Sequence, residues 1–344
     1  MIKGKGRQNM DAYIPPYTLT DTMLSTAAEI ADKARRITQY RTFETRPQLR
    51  RNNRIRSIHS SLAIEANSLS IDEVRSVIDG RLVLGPAREI QEVKNAYLAY
   101  EQIGSFDPYS LDELKRLHGV MTNLTVEQSG VFRTRNEGVF SGDRCVFMAP
   151  PPQLVPDHMA SLFSWMNAAR GRVHPLILSS VFHYEFVFIH PFEDGNGRMA
   201  RLWQTALLTD WNPVFQYLPL ESRIHMFQSE YYAAIAACNA AGNSDAFITF
   251  MLDAINRTLD WALAQASGQD AVLSPQVRAL LNAMEEEIPY TAVQLIGILG
   301  LKSRVSFRKA YLLPALEQGL IQMLYPDKPS SRNQAYIRKT VTLP

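Results

Sequence analysis

Along most of the first 265 residues the apolar positions recur every three or four residues, the spacing of helices that bury one face. TDTMLSTAAEIADKARRITQYR shows it after Thr22, and GPAREIQEVKNAYLAYEQI and SLDELKRLHGVMT repeat it. Ser70 followed by Glu73 forms a capping box that opens a short helix, with Gly80 as its stop, and Ser110 with Glu113 opens another. The charged stretch RPQLRRNNRIR reads as a basic connector to SIHSSLAIEANSLS. Helical spacing returns at VPDHMASLFSWMNAA, HPLILSSVFHYEFVFI, the residues after Gly197, SEYYAAIAACNAAG and SDAFITFMLDAINRTLDWALAQA.

Two places break the pattern. In GVFRTRNEGVFSGDRCVFMAPPP short β-type runs flank Ser141-Gly142-Asp143, which predicts a hairpin closed off by three prolines. Around Ser267-Gly268-Gln269 the composition turns to that of a linker. The tail then reads helix, helix, a turn at Gly300, helix, strand, a PDKPSSRN loop and strand, the order of a winged helix-turn-helix. The expected division is an N-terminal helical region at 1–85, a catalytic-type region at 86–266 and a small domain at 272–344.

Composition narrows the class. Hydrophobic residues at 46%, charged residues at 20% and a net charge of +2 describe an ordinary globular chain, so any nucleic-acid patch must be local. Cys145 and Cys238 are too few for a disulfide framework or a four-ligand metal site, and reduced thiols are expected. MIKGKGRQNMDAYIPPYTL has no apolar signal core and no window reaches bilayer length, so the expectation is a cytoplasmic protein without membrane contact.

The chemistry is concentrated in HPFEDGNGRMAR, residues 190–201, placed directly after the apolar VFHYEFVFI. Gly195-Asn196-Gly197 leading into a helix outlines an anion site, because converging N–H groups add to a helix N-terminus. Arg198 and Arg201 supply two guanidinium forks beside it, which suits a polyphosphate. Asp194 stands where a carboxylate could hold Mg²⁺ against phosphate oxygens, and His190 is the natural proton acceptor. Phe192 reads as an anchor pinning the loop to the core. Taken singly, each feature is commonplace; their combination in one turn of chain is not.

His190, Phe192, Asp194, Gly195, Asn196, Gly197, Arg198 and Arg201 match every defined position of HxFx(D/E)GNGRxxR, and the chain so resembles the Fic family over residues 50 to 260. The resemblance implies a mainly α fold: a Fic-type helical domain with a β-hairpin flap, followed here by a C-terminal winged helix-turn-helix. It also implies transfer of AMP from ATP, with Mg²⁺, to a hydroxyl side chain of a target protein. His190 would deprotonate the hydroxyl and Asp194 would hold Mg²⁺. Gly195, Asn196, Gly197 and Arg198 would bind the α- and β-phosphates, and Arg201 the γ-phosphate.

A second segment, SSLAIEAN, is similar to the family's inhibitory motif (S/T)xxxE(G/N), with Ser61 and Glu65 in register and Ala66 as a departure. Glu65 would pair with Arg201 and spoil the orientation of the γ-phosphate; the same glutamate could serve removal of AMP. By resemblance, the hairpin at 130–148 would cover the nucleotide and pair with target protein, with Val139, Phe140, Ser141 and Gly142 lining it. Tyr231, Tyr232 and Asn239 fall where relatives contact adenine and ribose. Self-modification and a homodimer stay open. In the tail, Lys302, Arg304, Arg308 and Lys309 would let 302–318 meet DNA phosphates. That leaves a rival reading, a nucleotide-sensing DNA-binding regulator, although a pure sensor has no need of His190. A Fic-related kinase is disfavoured by the intact GNGR.

Overall fold

The computed structural model describes residues 13–40, 42–141, 144–266, 274–285, 288–301, 303–317, 320–325 and 334–338. The chain forms two compact units, Met1–Leu263 and Ala264–Pro344.

The larger unit is helical, with one hairpin. Its centre is a pair of helices, Pro175–Ile189 and Asn196–Trp211, which pack more extensively on each other than any other two elements do. Both are buried on nearly every side, so neither carries a one-sided apolar stripe. Around them stand Asp21–Tyr40, Pro47–Ile64, Ala87–Tyr100, Leu111–Met121, Val155–Ala169, Gln228–Ala241 and Asp245–Ala266. Met23, Ala27, Ile30, Ala34 and Ile37, at intervals of three and four, bury the first of these in the same core that holds Trp203, Phe182 and Leu259. Leu220–Met226, absent from the sequence expectation, packs on Pro47–Ile64.

The capping box of Ser70 and Glu73 is formed in full. At Ser110 the side chain accepts from the Glu113 N–H, without the reciprocal bond. The supposed connector RPQLRRNNRIR is instead the first half of the helix Pro47–Ile64. Its charges hide a buried stripe of Ile55, Ile58 and Leu62; Arg51 is exposed, while Arg50, Arg54 and Arg56 are half-buried along their stems. Arg51 reaches Asp79, and Arg54 donates to the Tyr100 carbonyl.

The hairpin pairs Gly138–Ser141 antiparallel with Arg144–Met148, with an irregularity between Val139 and Phe140. Phe147 lies against Phe188, tying it to the exposed side of the central helix. Gly142 falls outside the described residues, as do the linker residues Ser267-Gly268-Gln269 and Lys302.

The smaller unit has helices Pro275–Asn282 and Ala292–Ile298, and a third run that begins as Arg304–Phe307, passes through a π-helical turn Arg308–Leu312 and ends as Leu313–Glu317. Pro314, lacking an N–H, sits just past that turn. A three-stranded antiparallel sheet orders Pro289–Thr291, Ala335–Arg338 and Ile321–Met323. Pro289–Thr291 was not expected; it is an edge strand, where a proline is tolerated. Val277, Leu280, Leu295, Phe307 and Ile321 form a separate core. Among the described residues no helix is long and apolar enough to cross a membrane.

Candidate active site

The site grows from the end of Pro175–Ile189. His190 caps that helix in the left-handed region (φ 50°), unusual for a residue with a Cβ, and this turns the chain out into the loop. Its Nδ1 faces the Val187 carbonyl at 3.4 Å. A carbonyl can only accept, so Nδ1 carries the hydrogen and the Nε2 lone pair is left for a proton. Burial lowers the imidazole's pKa, outweighing the Val187 carbonyl, so the ring is neutral at pH 7.

Phe192 is fully buried and stacks on His118, with centroids 3.6 Å apart and planes 9° apart. Asn196 knits the same loop. Its amide donates to the Phe192 carbonyl at 2.7 Å and its oxygen accepts from the Phe192 N–H at 3.0 Å. The Asn196 side chain is thus spent on the loop, leaving its backbone to face an anion. Gly195 lies at φ 81°, where a Cβ would also stand 2.9 Å from Thr122 Cγ2, so glycine is required twice over.

Arg198 and Arg201 are not surface residues. Each is only 2–3% exposed. Arg198 donates Nη2 to Asp194 Oδ1 at 2.8 Å, and Arg88 donates to Asp194 Oδ2 at 2.7 Å. Burial pushes the Asp194 carboxyl up, but Arg198, the Gly195 N–H and Arg88 together outweigh it and hold the pKa below the ordinary value. Arg201 donates Nε to Ser61 Oγ at 3.0 Å and Nη2 to both the Ser61 carbonyl and Glu65 Oε1 at 2.8 Å. Burial opposes its charge, and the Glu65 carboxylate more than restores it. Glu65 sits so close over Gly197 that any Cβ there would collide with its Oε1. The carboxylate therefore lies in the nest at the helix start, the place chemically suited to an anion.

Three buried donors in this cluster, Arg198 Nε and Nη1 and Arg201 Nη1, have no hydrogen-bond partner among the described residues. Buried guanidinium hydrogens left without a hydrogen bond are expensive, and donors of this kind beside the nest suit a multiply charged anion such as a polyphosphate. Asp194, a single carboxylate at the lip, is the kind of donor Mg²⁺ takes alongside phosphates. No group of three or more His, Cys, Asp or Glu that could cage a metal occurs among the described residues.

The remaining sequence candidates are more dispersed. Tyr231 is buried and donates to or accepts from His183 Nε2 at 2.9 Å, whereas Tyr232 on the same helix is exposed. Asn239 accepts from the Tyr184 hydroxyl at 3.0 Å. Val139 lies in the hairpin strand opposite Phe147.

Several residues that shape the site escaped the sequence reading, Arg88 on Asp194 among them. His118 accepts from the Gly130 N–H at Nδ1 (2.8 Å), which fixes Nε2–H as donor to the Asp194 carbonyl at 2.9 Å. Burial lowers its pKa to about 4, so it stays neutral and holds the loop. Arg133, 2% exposed, donates to the carbonyls of His190 (2.6 Å), Ile189 (3.3 Å), Arg135 (2.8 Å) and Pro150 (2.6 Å). One guanidinium thus joins the histidine turn to both ends of the hairpin.

A helical unit with one hairpin, built around a buried two-arginine nest beside a left-handed histidine, defines a class of fold whose centre is chemically suited to an anion. Residues 108–208 match the Fic/DOC family, and residues 275–338 match the domain described as Filamentation induced by cAMP protein Fic-like, C-terminal domain. A Fic family protein from Desulfovibrio desulfuricans G20, known from its crystal structure, is 40% identical, with a TM-score of 0.69 over 95% of this chain and 99% of that one. The chain belongs to the Fic family. Protein adenylyltransferase fic-1 of Caenorhabditis elegans is 26% identical over 254 residues, 67% of this chain and 47% of the relative. Protein adenylyltransferase Fic of Aedes aegypti is 28% identical over 251 residues, 68% of this chain and 48% of the relative. The chain spans about half the length of the curated relatives it matches.

Proposed function

We propose that this chain is a protein adenylyltransferase that moves AMP from ATP to a hydroxyl side chain of a target protein, and that Glu65 restrains it. The observation that carries the reading is the anion already lying in the nest, the Glu65 carboxylate over Gly197 with Arg201 turned onto it at 2.8 Å. A γ-phosphate needs the same donors. While Glu65 holds them, ATP enters without its triphosphate aligned.

With Glu65 withdrawn, Arg201 takes the γ-phosphate, and Arg198 with the N–H groups of 195–197 takes the α- and β-phosphates. Bound Mg²⁺ would neutralise phosphate charge from Asp194. His190 Nε2 accepts the proton of the target hydroxyl as that oxygen bonds to Pα. The bond from Pα to the bridging oxygen breaks, and pyrophosphate leaves. Most of the catalysis is positioning and charge neutralisation, so one base and a rigid nest suffice. The hairpin would align the target by strand addition, with Tyr232 and Asn239 flanking the adenosine. Glu65 in its resting place would also suit it to direct water onto an AMP-modified protein.

The C-terminal unit we read as a winged helix-turn-helix whose exposed Arg304, Arg308 and Lys309 are available to phosphates. The deciding experiment supplies ATP labelled at the α- or the γ-phosphate to wild type, Glu65→Gly and His190→Ala. Protein label from α only, raised in Glu65→Gly and lost in His190→Ala, supports AMP transfer. Label from γ would make it a kinase, and nucleotide binding without label would favour a sensor.

A further inference from the structure

Glu65 is not the only carboxylate on the nest. Glu92, on the helix Ala87–Tyr100, places Oε1 3.5 Å from Arg198 Nη1, with its side chain only 13% exposed. Among the described residues Nη1 makes this ion pair and no hydrogen bond. The other oxygen of Glu92 is fixed from behind: Asn67 donates its amide to Oε2 at 2.9 Å and to the Glu89 carbonyl at 3.3 Å. Asn67 is itself 8% exposed and stands two residues beyond Glu65. Ser68 adds its N–H and hydroxyl to Glu89 Oε2 at 2.6 and 2.8 Å. The segment that delivers Glu65 is therefore clamped to the helix that delivers Glu92. One turn earlier on that helix, Arg88 joins Glu92 Oε1 (3.4 Å) to Asp194 Oδ2 (2.7 Å).

We infer that Glu92 is a second restraining carboxylate, set by Asn67, that withholds Arg198 from the α- and β-phosphates as Glu65 withholds Arg201 from the γ-phosphate. The inference rests on the nucleotide reading above. A fixed negative charge 3.5 Å from a buried guanidinium lowers the potential that guanidinium offers to phosphate, and repels the phosphate directly. The two locks differ in which phosphate they govern, and this difference separates restraint from mere structural support. A residue that only props up Arg198 would weaken nucleotide binding when neutralised; a restraint strengthens it.

The test is calorimetric titration of the full chain with Mg²⁺ and either ADP or α,β-methylene-ATP, which cannot release pyrophosphate. Glu92→Gln, which keeps shape and removes charge, should tighten both ligands on the order of tenfold, within the usual span of coupling between sites. Glu65→Gly should tighten the triphosphate far more than ADP. Asn67→Ala should move in the direction of Glu92→Gln, since it frees Glu92 to swing away, and a thermal melt of each variant checks folding. Unchanged or weaker ADP binding by Glu92→Gln, while Glu65→Gly still tightens the triphosphate, overturns the second lock and leaves the proposed function standing. Nucleotide binding by none of the variants overturns both.

Discussion

Ala66 is the residue at which sequence and geometry meet most sharply. It follows Glu65 at φ 64°, in the left-handed region, where the inhibitory motif this segment resembles has glycine or asparagine. A side chain there strains against its own carbonyl by about 1–2 kcal/mol, which a glycine removes at some loss of backbone entropy. Ala66→Gly should therefore raise stability by about 0.5–1 kcal/mol in urea unfolding. By relaxing the turn that presents Glu65, it should also lower the basal rate of the proposed AMP transfer. A more active variant would show that the strain supports the lock. His190 shares the left-handed geometry at φ 50°. Because burial lowers its pKa, the base is already free at pH 7. Transfer should stay level as pH falls to 6.5 and decline only below it, in a pH–rate profile of Glu65→Gly; a decline beginning near pH 7.5 would contradict the assignment. The residues proposed as base, nest and lock were all legible in the sequence, because each lies within a contiguous stretch, and the structure brings Glu65 to Arg201 and Gly197.

At the level of elements the hairpin depends on a residue no motif displayed. Arg133 lies 57 residues before His190, so only the fold brings its guanidinium to that carbonyl. It spans four carbonyls of the histidine turn and the hairpin ends, a geometry that a lysine ammonium cannot reproduce. Arg133→Lys should cost about 2–4 kcal/mol, since charged hydrogen bonds contribute about 1.5–3 each. It should also reduce kcat on target protein more than the affinity for nucleotide, which steady-state kinetics and a nucleotide titration would resolve. Equal stability to wild type would remove Arg133 from this role. His118 was hidden for the same reason, acting on Asp194 from 76 residues away. Most helices were plain in the apolar spacing; the seven residues of Leu220–Met226 were too few to show it, and in Pro47–Ile64 the arginines outnumber the Ile55, Ile58 and Leu62 stripe that buries it. The strand Pro289–Thr291 was invisible because three residues carry no period.

Across the whole molecule the larger unit is held by polar groups that must stay neutral. Burial lowers the pKa of His118 to about 4 and that of His183 to about 3, the latter against its bond to Gln204. Both are fully buried, His118 against the loop that carries Asp194 and His183 between Gln204 and Tyr231. Their unfolded counterparts titrate near 6.5. Above that pH neither state binds the proton and their contribution is complete. Between 6.5 and about 4 the unfolded chain takes up protons that the native state refuses, so stability falls as pH falls, by up to about 1.4 kcal/mol per pH unit for each histidine. Glu185 opposes this in part, because burial raises its carboxyl and so favours the native state at low pH. Burial also lowers the pKa of His59, His174, His190 and His225, which act in the same direction as His118 and His183, so the sign is unchanged. The melting temperature should therefore hold steady from pH 8 to 6.5 and drop steeply by pH 5, with His183→Gln flattening the drop. A profile flat to pH 5 in the wild type would mean these histidines reach solvent or a partner that takes their charge. In that case His118 could not serve as the neutral Nε2–H donor that holds the loop carrying Asp194, and the support of the anion nest would have to be sought elsewhere.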